Sequence, residues 1–378
     1  MNRRSLSTVK FVAVVLGTLA ACWLAPAALA MDNTREDVRS FSTEMVSKHG
    51  FDQAWIDTML LSATSQPAII EAMSKPAERT KPWFEYRARF ITERRIREGV
   101  AFWQANREPL ERIAAERGIP PETIVGIVGV ETFYGTITGK YRVLDALATL
   151  AFDYPPRAPY FRAELEEFLL LAREHGMDPL VVTGSYAGAM GAPQFMPRSV
   201  RAYARDGDGN GRIDLWTTWP DVFASVANFL KFHGWVTGEP VVVPATLFDP
   251  DNVILDGSKL ATQETVDSLQ HKGVEFEALL PETAPTMFVA VRGPLGPAYY
   301  VGYKNLWVIT RYNRSALYAM TVNELAVAVR NALAQADAAA ATTPAVPPVV
   351  PPVENTTPTS TPATTTPPPA PSPSPPTP

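Results

Sequence analysis

The fold is decided by residues 120–135, PPETIVGIVGVETFYG. The two prolines can open a helix, because the first helical turn needs no intrahelical partners for its backbone N–H groups. Residues 124–130 are apolar or glycine, so this helix is predicted to lie deep in a core. One carboxyl group, that of Glu131, stands at its end beside the aromatic residues Phe133 and Tyr134.

Glu131 is the first candidate for catalysis. Burial favours the neutral, protonated form of a carboxyl group, and a general acid that works near neutral pH needs that form. A buried glutamate can also serve as half of an ion pair with an arginine, or lie at a helix end and face solvent. The position of Glu131 in the sequence does not by itself distinguish a general acid from an ion-pair partner or a solvent-facing side chain.

Helical patterns flank this segment on both sides. Residues 31–118 are predicted to be an α-helical domain, in which Asp52 caps one helix and a second, long helix runs from Thr92 to a stop at Gly118. Residues 119–239 are predicted to form the core that holds the site. The helices expected after residue 135 cover residues 160–175, 221–234 and 322–341.

Short β-type runs appear only after residue 239. They lie at residues 241–243, 287–291, 298–301 and 306–310, and are broken by proline and glycine. Residues 240–302 are therefore predicted to be a small β-containing insertion, and residues 303–341 to return to the core and end in a helix. The expected fold class is α+β, mainly α.

The two ends of the chain differ in composition from the rest of the sequence. Residues 1–30 resemble an export signal, with Arg3, Arg4 and Lys10 before an apolar run. Cleavage after Ala30 and lipidation at Cys22 fit equally well, so we expect a periplasmic protein that is either free or anchored in the outer membrane by lipid. Residues 342–378 contain 15 prolines and are predicted to be a disordered tail.

Composition excludes several classes of function. The net charge of −5 without a basic block argues against nucleic acid as a partner. One cysteine excludes an internal disulfide framework and a cysteine zinc site, and four scattered histidines without a His-Glu-x-x-His motif argue against a histidine metal centre. No apolar run near 18 residues follows the first 30 residues.

A glycine-rich loop at residues 184–191, GSYAGAMG, is the second candidate. Small residues let a ligand approach the backbone, and Ser185, Gln194 and loop N–H groups can bond hydroxyl and amide groups. The loop lacks the Gly-Lys-Ser/Thr ending of a phosphate loop, and Thr183 replaces the first glycine of a nucleophile elbow. A plain structural turn is the equal alternative.

Residues 206–214, DGDGNGRID, match the first nine positions of an EF-hand loop. Oxygen ligands are expected from Asp206, Asp208, Asn210 and the carbonyl of Arg212. Position 12 is Thr217 where a bidentate glutamate belongs, so Asp221 is the nearest replacement. The pattern favours a structural Ca²⁺ site over a solvent-exposed Asp/Gly loop, and no cofactor is expected for the chemistry itself.

Together these segments resemble the membrane-bound lytic murein transglycosylase B family. The resemblance rests on VGVETxxG ending in Gly135, LDALATL at 144–150, GSYAGAMG with QFMP at 194–197, and ITRYN at 309–313. It implies a lysozyme-like core and non-hydrolytic cleavage of the β-1,4 bond between N-acetylmuramic acid and N-acetylglucosamine, with Glu131 as the single acid/base. It also implies the calcium loop and, as residues lining the glycan groove, Tyr86, Arg157, Ser185, Gln194, Tyr312, Asn313 and Tyr318.

Two positions depart from the family pattern. Phe229 stands where a tyrosine of the active-site wall is expected, and residues 217–220 are one residue longer, which weakens the assignment of Asp221. The expected product carries a 1,6-anhydro ring, and the expected partners are peptidoglycan glycan strands bound by a monomer. The alternatives are a hydrolysing muramidase and a non-catalytic peptidoglycan-binding protein.

Overall fold

The computed structural model describes residues 29–75, 81–249 and 255–342. By its contacts the chain divides into Met1–Ala336 and Asp337–Pro378, and the residues that form the site belong to the first unit. The α-helices of the described residues are α1 Glu36–His49, α2 Gln53–Ser62, α3 Pro67–Ser74, α4 Trp83–Ala88, α5 Glu93–Ala105, α6 Arg107–Arg117, α7 Pro121–Thr132, α8 Val143–Phe152, α9 Ala158–His175, α10 Pro197–Tyr203, α11 Trp219–Phe232, α12 Val266–His271, α13 Lys304–Tyr312 and α14 Ala316–Thr342.

Helix α7 is the centre of the core. Every residue from Thr123 to Val130 is buried, as the sequence predicts. Helix α14 lies directly on it, because a Cβ atom at Gly126 would come within 2.7 Å of the backbone oxygen of Val322. A Cβ atom at Gly129 would likewise lie 2.9 Å from the side chain of Leu325, which is also on α14. These glycines therefore set how closely the last helix approaches the helix that ends near Glu131.

The N-terminal helices follow the predicted pattern with one break. The side chain of Asp52 accepts a hydrogen bond from the Trp55 N–H at 2.8 Å and so caps α2. The long helix expected from Thr92 to Gly118 is wrong in its middle, since α5 ends at Ala105 and α6 begins at Arg107. Pro109 explains the break, because a proline has no N–H to donate and is tolerated only in the first turn of a helix.

The larger sheet is made of five strands, which are β5 Val242–Leu247, β6 Glu264–Thr265, β7 Val274–Glu275, β8 Pro285–Gly293 and β9 Gly296–Gly302. They are antiparallel and lie in the order β6-β8-β9-β5-β7. The longest pairing places Phe288 opposite Val301, and both residues belong with Leu269 to a small, separate hydrophobic core.

The β-type run predicted at residues 306–310 is wrong, because these residues lie inside helix α13. Leu306, Val308, Ile309 and Thr310 are buried, and this packing overrides the β propensity of the branched side chains. Two helix starts also differ from expectation: α11 begins at Trp219 rather than Asp221, and α14 begins at Ala316 rather than Val322.

Two short strand pairs connect distant segments. Strands β1 Leu29–Ala30 and β2 Thr64–Ser65 pair near the start of the described chain, and β3 Tyr141–Arg142 pairs with β4 Thr183–Gly184. Among the described residues, no helix combines the length and apolarity that crossing a bilayer requires. The predicted export signal up to residue 28, with Cys22, and the predicted tail from residue 343 lie outside the described residues, and the predicted domain boundaries stay predictions.

A second buried carboxyl group, that of Glu164, lies on α9. It is 2% exposed and accepts a hydrogen bond from the Arg198 N–H in the first turn of α10 at 3.0 Å. Burial raises the pKa of Glu164 above its ordinary value of 4.5, although that bond opposes the shift. The side chain fixes α10, which directly follows the Gln194 segment.

The variant Glu164→Gln should show how the raised pKa of Glu164 makes the stability of the protein depend on pH. Because the native state holds the proton more tightly than the unfolded chain, the favourable contribution of neutral Glu164 is present at acid pH and is lost as pH rises from 4.5 through the raised native pKa. The melting temperature of the variant minus that of wild type should therefore grow from pH 4 to pH 7. Glu174→Gln is the control of opposite sign, because bonding to Arg201 lowers the pKa of Glu174. If the difference in melting temperature between Glu164→Gln and wild type does not change with pH, the raised pKa of Glu164 is contradicted.

Candidate active site

Glu131 lies in the last turn of α7, where its side chain is partly buried. Its Oε1 accepts a hydrogen bond from the hydroxyl of Tyr318 at 2.6 Å. Tyr318 is 2% exposed and belongs to α14, so the close contact between α7 and α14 brings this donor to the carboxyl group. Burial and the charge of Glu131 together raise the pKa of Tyr318 far above its ordinary value, so the phenol stays a donor.

A second tyrosine, Tyr312, lies beside Tyr318, and the two rings together are here called the tyrosine wall. The ring of Tyr312 stacks on that of Tyr318 with centroids 6.4 Å apart and an interplanar angle of 15°. Its hydroxyl donates to the backbone oxygen of Pro193 at 2.6 Å. Burial, with a smaller contribution from Glu131, raises the pKa of Tyr312 well above its usual range. The tyrosine wall therefore joins the carboxyl group to the segment that carries Gln194.

Gln194 is held rigidly in that segment. Its φ of 52° is in the left-handed region, where non-glycine residues are uncommon. The side-chain amide of Gln194 donates to the backbone oxygens of Gly191 at 2.9 Å and Thr138 at 3.0 Å. Backbone strain of this kind persists where surrounding contacts over-determine it, which is common at ligand sites.

Thr132 connects Glu131 to the same segment. It is fully buried, and its hydroxyl lies 3.0 Å from the backbone oxygen of Ala192. The Thr132 hydroxyl oxygen also accepts a hydrogen bond from the Gly135 N–H at 3.0 Å. A single side chain thus joins the end of α7, the turn after it and the loop before Gln194.

The turn after Glu131 is unusual, since both Phe133 and Tyr134 have positive φ values of 50° and 59°. The Tyr134 hydroxyl donates to the backbone oxygen of Arg95 at 2.9 Å. The ring fills the space beside Gly129, where a Cβ atom would come within 2.7 Å of it. Tyr134 therefore anchors the strained turn to α5.

Ser185 organises the glycine-rich loop. Its Oγ accepts hydrogen bonds from the N–H groups of Ala189 at 3.0 Å and Ala187 at 3.3 Å. The hydroxyl proton is not used in these bonds and can be donated to a ligand. Close contact holds the loop against residues 138–140, because a Cβ atom at Gly139 would come within 2.0 Å of the backbone oxygen of Gly184.

The other predicted groove residues are placed differently. Tyr86 is 1% exposed, so it belongs to the interior of the wall, and its proximity contributes to the raised pKa of Tyr318. Asn313 is exposed at the end of α13. Arg157 is exposed and stacks on Tyr160 and Phe161, with its guanidinium 4.6 and 4.9 Å from their centroids, rather than joining the hydrogen-bonded group around Glu131.

Phe229 belongs to an aromatic cluster that includes Tyr312 of the tyrosine wall. It stands where the resemblance to the family leads one to expect a tyrosine. Its ring lies 4.8 Å from Tyr312, 5.7 Å from Phe195 and 4.2 Å from His233, between centroids. Burial lowers the pKa of His233, which favours the neutral imidazole behind this ring. Phenylalanine at this position therefore fills the cluster with an aromatic ring and brings no hydroxyl group to it.

The calcium-type loop gathers three carboxylates. Asp206, Asp208 and Asp221 each offer an oxygen, and these oxygens lie within 4.8 Å of one another. The structure thus brings Asp221 to the loop despite the extra residue before it. Asn210 bonds to Asp208 at 2.9 Å, and the Arg212 N–H donates to the Asn210 side chain at 2.8 Å, so both lie in the same tight turn.

The electrostatics of this group fit a divalent cation. Burial raises the pKa of Asp221, and the charges of Asp208 and Asp206 raise it further. Backbone N–H groups, that of Gly211 above all, lower the pKa of Asp206 and keep it ionised. A hard cation with oxygen ligands would relieve the mutual repulsion of the three carboxylates.

Comparison with known proteins decides the family. The family model described as the Transglycosylase SLT domain matches residues 33–327. The chain belongs to this family. It is 42% identical to membrane-bound lytic murein transglycosylase B of Escherichia coli over 308 residues, which are 79% of this chain and 84% of that protein. The family, the lysozyme-like, mainly α fold class and the enzyme class, a peptidoglycan lytic transglycosylase, are thereby confirmed.

Two solved structures are similar over most of the chain. One is catenated lytic transglycosylase SltB1 from Pseudomonas aeruginosa, with 47% identity and a TM-score of 0.75 over 79% of this chain and 98% of that one. The other is the E. coli lytic transglycosylase Slt35 in complex with calcium, with 40% identity and a TM-score of 0.74 over 82% of this chain and 97% of that one.

Two residues that fix the turn after Glu131 were not predicted from the sequence. Thr132 follows Glu131 directly and Tyr134 lies two residues further on, yet nothing in their spacing shows that one hydroxyl reaches Ala192 and the other reaches Arg95. The sequence did contain one signal of close packing here, the two glycines Gly126 and Gly129. A glycine in an otherwise branched apolar helix indicates that another group approaches the backbone closely.

Proposed function

We propose that this enzyme cleaves the β-1,4 bond between N-acetylmuramic acid and N-acetylglucosamine without water and leaves a 1,6-anhydro ring on the muramic acid. The observation that carries the proposal is the partly buried Glu131 carboxyl group, bonded to Tyr318 at 2.6 Å and enclosed by stacked tyrosines. Its relatives are named as lytic murein transglycosylases, which supports peptidoglycan glycan strands as the substrate.

The reaction needs one group that gives and then takes a proton. Protonated Glu131 donates to the glycosidic oxygen as the bond to C1 breaks, and the departing N-acetylglucosamine leaves as an alcohol. The Glu131 carboxylate then accepts the proton of the C6 hydroxyl, whose oxygen attacks C1 and closes the ring. The hydrogen bond from Tyr318 stabilises the carboxylate between the two steps.

A single carboxyl group suffices for this reaction. Ordinary glycosidases use a second carboxylate as nucleophile or base, about 5–10 Å from the first. Here the nucleophile is the C6 hydroxyl of the substrate, so no second carboxylate is required.

The groove residues take supporting roles in this proposal. Ser185 donates its free hydroxyl proton to the N-acetyl group or to the glutamate, and Gln194 presents a rigid amide. Tyr312 and Tyr318 offer ring surface to the apolar faces of sugars. Tyr86 supports the wall from inside, while Arg157 and Asn313 are exposed for contact with more distant parts of the strand.

Glu131→Gln tests the catalytic assignment. The amide cannot donate the required proton, so release of soluble fragments from purified peptidoglycan should fall by at least about 10²–10⁴-fold, the usual contribution of a general acid or base. Glu122→Gln, which removes a carboxylate from the first turn of the same helix, should retain activity. Equal solubilisation by wild type and Glu131→Gln would favour the wall-binding alternative.

The mass of the products separates the enzymatic alternatives. Fragments lighter by one water than the hydrolysis products indicate the anhydro ring, whereas reducing ends indicate a muramidase. Mass spectrometry of digested sacculi therefore checks the reaction independently of the variant.

Calcium is proposed as a structural ligand of residues 206–221. Asp206, Asp208 and Asp221 supply carboxylate oxygens, with Asn210 and the carbonyl of Arg212 from the same turn. The support is the clustered charge and a relative solved in complex with calcium. The loop follows α10 and precedes α11, which carries Phe229, so the ion would stabilise the fold near the aromatic cluster.

Added Ca²⁺ should raise the melting temperature, because an ion that binds only the native state stabilises it by about 2.7 kcal/mol at 100 times its Kd. Asp206→Ala should abolish the rise. Asp256→Ala, which removes an exposed carboxylate elsewhere, should keep it. A wild-type melting temperature that does not respond to Ca²⁺ would rule out the site.

A location in the cell envelope is supported by the name of the membrane-bound relative, and the proposed anchor is lipid on Cys22. Strand β1 supports this choice, because Leu29–Ala30 pair with Thr64–Ser65 and the Met31 N–H donates to the Ala63 backbone oxygen at 2.9 Å. Cleavage after Ala30 would remove the whole of β1, whereas cleavage before Cys22 retains it.

The intact mass of the mature protein tests this processing. It should correspond to a chain that begins at Cys22 and carries acyl groups, and Cys22→Ser should eliminate the acylated species. A mature chain that begins at Met31 would contradict the proposal.

A further inference from the structure

The guanidinium of Arg95 lies between two aromatic rings beside the candidate active site. It stands 4.8 Å from the ring centroid of Phe133 and 5.0 Å from that of Phe90. Arg95 projects from α5 and is partly buried. Aromatic rings contact the face of a guanidinium, and its N–H donors lie in the plane, so stacking leaves the donors at its edge free for an anion.

Arg95 has no counter-ion in residues 29–75, 81–249 and 255–342. Within those ranges it donates one hydrogen bond, from Nη1 to the backbone oxygen of Arg89 at 3.3 Å, and its enclosed Nε has no acceptor. Burial lowers the pKa of Arg95, which reflects the cost of holding this cation partly out of water. Arg94 contacts the same Phe133 ring but is paired with Glu98 at 3.0 Å.

The aromatic residues connect this cation to Glu131. Phe133 is two residues beyond Glu131, so their Cα atoms are at most about 7 Å apart. On the other side, the Phe90 ring lies 5.2 Å from that of Tyr86, which contributes to the raised pKa of Tyr318. The contact with Phe133 therefore places the guanidinium beside the turn that follows Glu131.

We propose that Arg95 binds a carboxylate of the peptide stem carried by a muramic acid residue near the cleavage site. This inference rests on the proposed function and names the part of the substrate that the glycan groove leaves unassigned. The N-acetylated sugar rings of a glycan strand bearing peptides are neutral, so its negative charge is carried by the stem carboxylates. A planar guanidinium with free edge donors matches a carboxylate in a two-bond arrangement.

The alternative is that Arg95 only packs the turn after Glu131. Packing would help every substrate equally, whatever its charge. Binding of a carboxylate would help only substrates that carry one. The substrate's charge therefore separates the two readings, and a change in KM rather than in kcat is expected for a group that contacts the stem and not the reacting atoms.

The experiment uses soluble glycan strands with uncross-linked peptide stems in two forms. One form keeps its free stem carboxyls, and in the other they are converted to amides with carbodiimide and ammonia. Arg95→Gln should raise KM for the free-carboxyl form about tenfold with little change in kcat, and should leave KM for the amidated form unchanged. Arg95→Lys should fall between wild type and Arg95→Gln on the charged form, because it keeps the charge without the planar fork.

Arg39→Gln on α1 is the matched control, since it removes an exposed arginine and should behave as wild type on both forms. The inference is overturned if Arg95→Gln weakens both forms by the same factor, or if wild type does not distinguish them. Either outcome leaves wild-type cleavage intact, so it is distinguishable from failure of the proposed function, in which wild type cleaves neither form.

Discussion

The contact between α7 and α14 at Gly126 is the constraint on which the site depends. With any side chain at that position, the backbone of Val322 would have to move, since a Cβ atom would lie only 2.7 Å from its oxygen. Tyr318 lies one turn before Val322, and Glu131 lies just over one turn beyond Gly126. The separation of the two helices therefore sets the 2.6 Å bond between phenol and carboxyl group. Overpacking typically costs about 1–3 kcal/mol, and here it would also separate the acid from its donor.

Buried polar groups are concentrated where they fix geometry. Thr132 joins α7 to the Gln194 loop, Glu164 fixes α10 beyond it, and Tyr134 holds the strained turn to α5. Each of these side chains satisfies backbone groups rather than other charges. The enclosed hydroxyls and carboxyl groups rigidify the frame, while Ser185 keeps a hydroxyl proton to donate and the Nε of Arg95 has no acceptor among the described residues.

Much of this arrangement could be predicted from the sequence. The apolar run of α7, the cap at Asp52 and the stop at Gly118 are local signals, and the structure confirms them. The break at Asn106 and the helix at 304–312 were not predicted. Pro109 was the local signal for the break, because a proline is tolerated only in the first turn of a helix, whereas packing decided the state of the branched apolar run at 306–310. The roles of Thr132, Tyr134 and Arg95 depend on partners far away in the chain, which periodicity cannot show.

The bond between Tyr318 and Glu131 joins residues 187 positions apart. Because the chain is made from its N-terminus, Glu131 is synthesised long before Tyr318. The hydrogen bond between them can form only after the final helix has been made and has docked on α7. Such a long-range contact carries a loop-closure cost, so the environment of the carboxyl group is completed only when the helices on both sides of it have folded together.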